Sequence, residues 1–165
     1  MSLVDVLMNA GGKDALSKIA TNLGIDEGTA AKAVGELLPK LTDAMKQNAA
    51  ADGGEGLKKA IEKGDHAKYL DEPERMGAAE TKQDGNGILG HILGSKDVSR
   101  AVADTVANAV GIENTKVKEM LPMVATMAMG AISKGVGDSD SSISDAIGGL
   151  LKSDDASKLL GSLFG

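Results

Sequence analysis

The sequence predicts an all-α, multihelical protein made of two tandem related halves packed around one aliphatic core. Three observations predict it. Apolar residues recur three and four positions apart through most of the chain, the period of helices with one buried face. Hydrophobic residues make up 42% of the 165 but aromatic residues only 1%, a single Tyr69 and a single Phe164. Such a core is assembled from Ala, Val, Leu, Ile and Met, side chains that let helices pack closely. Finally, a glycine stop and a proline recur in the same order. Leu23-Gly24-Ile25 and Leu37-Leu38-Pro39-Lys40-Leu41 are matched by Val110-Gly111-Ile112 and Met120-Leu121-Pro122-Met123-Val124.

The first half, residues 1–70, opens with Leu3, Val4, Leu7 and Met8 on one helical face, capped by Ser2 and ended by Gly11-Gly12. A second helix, about 13–23, buries Leu16, Ile19, Ala20 and Leu23 and stops at Gly24, the residue type that most readily takes the left-handed conformation closing a helix. Asp26 caps a long third helix with Ala30, Val34, Leu37, Leu38, Leu41 and Met45 in one stripe. Pro39 falls inside that stripe. Because the apolar period continues beyond it, the expectation is a kink and not a break. Two short helices, about 55–63 and 65–70, complete the half.

Residues 71–87 read as a connector, polar and interrupted by Pro73, glycines and scattered charge. The stretch from Asp84 to Ser95 reads as the hinge between halves, a short piece of one or two helical turns in which glycines punctuate the pairs Ile88-Leu89 and Ile92-Leu93 that share one face. The second half, 88–165, then repeats the plan. Ser95 caps a helix carrying Val98, Ala101, Val102, Thr105, Val106, Ala109 and Val110, and Gly111 ends it. The next helix carries Val117, Met120, Leu121, Val124, Ala128 and Ile132, with Pro122 in the place of Pro39. The interval from glycine to proline is four residues shorter here, about one helical turn, which nearly preserves the buried face. Closing helices are expected over 143–151 and 156–164. A half-repeat cannot bury its stripe alone, so the halves are expected to share a core.

These features together resemble a known family. Asp5-x-Leu7, Gly11-Gly12, Leu23-Gly24-Ile25, Leu37-Leu38-Pro39-x-Leu41, the run from Gly87 to Gly94 and the terminal Leu159-Leu160-Gly161-Ser162-Leu163-Phe164-Gly165 are similar to the YidB-like bacterial family of domains of unknown function. The resemblance implies a soluble multihelical protein. It carries over no catalytic residue, because its motifs are glycines, leucines and a proline.

Composition removes several function classes. With 18 basic against 24 acidic residues the net charge is −6, and there are almost no rings for stacking bases, so nucleic acid is not an expected partner. No cysteine means no disulfide, thiolate metal site or cysteine nucleophile. The longest apolar run, Met120 to Ile132, falls short of the roughly 20 residues that cross a bilayer. The N-terminus carries neither a basic region nor a long apolar region, and the expected location is cytoplasmic.

Motifs with apparent chemistry fail on context. Gly85-Asn86-Gly87-Ile88-Leu89-Gly90 has the letters of a dinucleotide fingerprint but follows a polar segment instead of a strand. Asp138 to Gly149 begins like a calcium loop, with Ile143 where glycine is needed and Gly149 where glutamate is needed. His66, beside Asp65, reads as an exposed helix start. His91 reads as a core-edge side chain bonded to backbone. No catalytic residue, cofactor or metal is expected.

The functional expectation is a non-enzymatic structural or interaction protein that self-associates through helical surfaces into a homo-oligomer or larger assembly. The residues expected to make contact are Leu3, Leu7, Ile88, Leu89, Ile92, Leu93, Met120, Met123, Met127, Leu163 and Phe164. The alternative is a helical binding module for an apolar ligand, lipid or partner helix. It would use a groove lined by Met120, Met123 and Met127, which share one helical face.

Overall fold

In the computed structural model the described residues are 12–52, 55–63 and 66–136. They form seven α-helices and no strand: α1 (Lys13–Leu23), α2 (Glu27–Asp52), α3 (Glu55–Lys63), α4 (Lys68–Asp71), α5 (Ala79–Leu93), α6 (Lys96–Val110) and α7 (Asn114–Val136). A 3-10 turn, Pro73–Gly77, joins α4 to α5. The expected helices over 3–8, 143–151 and 156–164, and the calcium-like loop 138–149, lie outside the described residues.

Local chemistry sets the helix ends. At the end of α1 the Gly24 amide donates to the Thr21 carbonyl at 3.3 Å and the Ile25 amide to Ala20 at 3.1 Å, closing the helix around a glycine with φ +63°. The end of α6 is built alike: φ of Gly111 is +79°, and the Gly111 and Ile112 amides both donate to the Ala107 carbonyl. Asp26 caps α2 by accepting from the Thr29 amide at 2.9 Å and the Thr29 hydroxyl at 2.5 Å. Those bonds, the hydroxyl's first, hold the Asp26 carboxyl below its ordinary range. The folded state thus binds this proton less tightly than the unfolded chain. The cap's contribution is present above the unfolded carboxylate range and lost as pH falls through the depressed folded value. Ser95 caps α6, its hydroxyl accepting from the Val98 amide at 3.2 Å.

Both long helices run through their prolines. α2 contains Pro39 and α7 contains Pro122 without interruption. Each also buries a threonine within a turn after the proline, and each hydroxyl returns to a carbonyl of its own helix. Thr42 donates to Leu38 and Thr126 to Met123, both at 2.8 Å.

At the centre of the fold is α7. Every residue from Met120 to Gly130 is buried, and the helix packs against α1, α2, α4, α5 and α6. This explains the long apolar run: a helix that is apolar all round is a core helix. No described helix is long and apolar enough to cross a membrane. The buried cluster around it consists of Ala, Val, Leu, Ile and Met with one aromatic, Tyr69.

Two glycines set how closely other segments approach α7. A Cβ on Gly85 of α5 would lie 2.6 Å from both the carbonyl carbon and Cα of Pro122. A Cβ on Gly130 of α7 would lie 2.7 Å from the carbonyl oxygen of His66. Both contacts are with backbone, which no side-chain rotation can move aside.

Three expectations are corrected here. Residues 79–87, expected to be non-helical, form the first half of α5. The inward line of α5 is Thr81, Gly85, Ile88, Leu89, Ile92 and Leu93, so the buried stripe opens with a hydroxyl and a glycine that give no apolar signal. The short helix placed over 65–70 is described only as α4, Lys68–Asp71. On α6 the core takes Ala103, Val106 and Ala107, with Val102 and Val110 half-buried, whereas Val98, Ala101, Thr105 and Ala109 face outward. That helix carries small or apolar residues on two faces, and the pair Ala103 and Ala107 is the one that lets it lie close to the core.

Candidate functional site

The contact residues named from the sequence fall into two groups. Ile88, Leu89, Ile92 and Leu93 are 2–7% exposed on the inner face of α5, and Met120, Met123 and Met127 are 0% exposed on α7. All seven belong to one buried cluster. Their apolar surface is packed inside the chain. Leu3, Leu7, Leu163 and Phe164 lie outside the described residues.

Polar side chains converge instead at the α4–α5 junction. Tyr69, 1% exposed, donates its hydroxyl proton to the Asp84 carboxylate on α5. The Lys68 ammonium lies 5.1 Å above the Tyr69 ring and 3.4 Å from a Glu80 carboxylate oxygen. Arg75, in the 3-10 turn, pairs with Glu72 and reaches Glu80 at 3.7 Å. The Thr81 hydroxyl donates to the Arg75 carbonyl, tying the start of α5 to the turn before it.

His66 packs behind this group. Its ring stacks on Tyr69 with centroids 6.4 Å apart, and Nε2 lies 2.7 Å from the Ala60 carbonyl oxygen at the end of α3. The ring is buried, and among the described residues Nδ1 has no hydrogen-bond partner, so the expected exposed helix start is corrected. The physical reason is Gly130, whose missing side chain makes room for the His66 backbone against α7. His91 is corrected in the opposite sense. Its side chain is exposed because the stripe of Ile88, Leu89, Ile92 and Leu93 turns position 91 outward, while its backbone carbonyl accepts from the side-chain NH2 of Asn48 at 3.0 Å.

The chemistry this arrangement supports is fastening. Burial first, and then the bond to Asp84, push the Tyr69 hydroxyl above its ordinary value near 10. It therefore keeps its proton at neutral pH and serves Asp84 as a donor, not a base. The fold binds that proton more tightly than the unfolded chain does. Its contribution to stability is whole below about pH 10 and is lost as pH rises through the folded-state value. Tyr69→Phe is expected to cost about 1–3 kcal/mol at neutral pH, the range for leaving a partly buried polar partner unmatched. The variant should also lose the part of the alkaline decline in stability that this proton is expected to give the native chain. Denaturant titrations from neutral to strongly alkaline pH measure both. Among the described residues, no group of three or more His, Asp or Glu side chains is arranged to hold a metal ion.

Sequence comparison bears on identity. The family model for a bacterial protein of unknown function, DUF937, matches residues 5–135, in accord with the YidB-like resemblance. The matched span takes in α1 to α6 and all but the last residue of α7, and it ends before the terminal Leu159 to Gly165 motif. No curated protein and no solved structure gives a significant match. The chain belongs to the DUF937 family of bacterial proteins of unknown function.

Proposed function

We propose that this chain is a non-enzymatic helical building block that self-associates through its two ends. In this reading its body is two tandem related halves around one aliphatic core. One observation carries the self-association. Among the described residues Val98, at 44%, is the exposed large apolar side chain, whereas the sequence places Leu3, Val4, Leu7 and Met8 before the body and Leu159, Leu160, Leu163 and Phe164 after it. A body that satisfies its own apolar surface leaves contact between copies to those ends. The paired halves are supported by the shared design of α1–α2 and α6–α7: a helix closed on a left-handed glycine, two linking residues, then a long helix containing a proline. The non-enzymatic reading is supported by the α4–α5 junction, where the polar groups that converge are bonded to one another.

Sedimentation velocity of the full chain across a wide concentration range tests this. The expected result is an oligomer that the variant Leu163→Ser, Phe164→Ser converts toward monomer, with its circular dichroism unchanged. A native chain that stays monomeric at the highest concentration overturns the reading. So does an oligomer insensitive both to that variant and to Leu3→Ser, Leu7→Ser.

A further inference from the structure

We draw no further inference here: the strongest candidate, the outward face of α6 formed by Val98, Ala101, Thr105 and Ala109, is an unpartnered face of mostly small residues, and nothing in the structure shows what covers it.

Discussion

Gly85→Ala is expected to lower the stability of the chain by about 2 kcal/mol. Two opposing effects set that figure. Alanine in a helix interior is favoured over glycine by about 1 kcal/mol. Against this, the new methyl group would sit 2.6 Å from the carbonyl carbon and Cα of Pro122. Overpacking of a tight core site costs about 1–3 kcal/mol, and the upper end applies because the neighbour is backbone in the stretch of α7 that is buried throughout. Relief requires α5 to move away from α7, which would loosen Ile88, Leu89, Ile92 and Leu93 as well. The midpoint of urea unfolding, followed by circular dichroism, gives the answer. An unchanged or raised midpoint would contradict the close crossing.

Met76→Ala is expected to cost about 2–5 kcal/mol, the range for truncating a large buried side chain that leaves a cavity. Met76 is 0% exposed although it sits in the five-residue 3-10 turn between α4 and α5. The turn packs mainly against α1 and also touches α4 and α5, so it ties the early helices to α5, and Met76 is the side chain it buries. If residues 71–78 were an idle linker, the substitution would change stability by less than about 0.5 kcal/mol. Chemical denaturation of the full chain separates the two outcomes, since the alternatives differ by at least a factor of about ten in the folded-to-unfolded ratio.

The helix ends were legible in the sequence because each depends on one residue acting on its immediate neighbours. Gly24, Gly111, Asp26 and Ser95 do in the structure what their residue types imply. The continuity of both long helices through Pro39 and Pro122 was legible too, because the apolar period persists beyond each proline. What was hidden depends on partners distant in sequence. The first half of α5 reads as connector in the sequence because its inward positions are Thr81 and Gly85, and only the approach of Pro122 shows what that glycine is for. The inward face of α6 could not be chosen from its pattern, since residues on both faces are small or apolar. The junction of His66, Tyr69 and Asp84 left no local trace. Its members come from separate segments, and the space His66 fills is set by Gly130 on α7. The methionines carried a double signal: a face that fits a partner helix also fits the chain's own core, and here the core has it.

α5 presses its inner face against α7 where Gly85 meets the Pro122 backbone, while Gly87 and Gly90 face open space among the described residues. A Cβ on Gly87 or Gly90 would meet nothing within 4 Å, so Gly87→Ala and Gly90→Ala are each expected to raise stability by about 0.8–1 kcal/mol. Unfolding midpoints of these two variants, set beside that of Gly85→Ala in the same buffer, test the claim most directly. The predicted result is opposite signs, two gains and one loss, along one helix. A gain at Gly85, or a loss at both Gly87 and Gly90, would mean that α5 faces its neighbours differently.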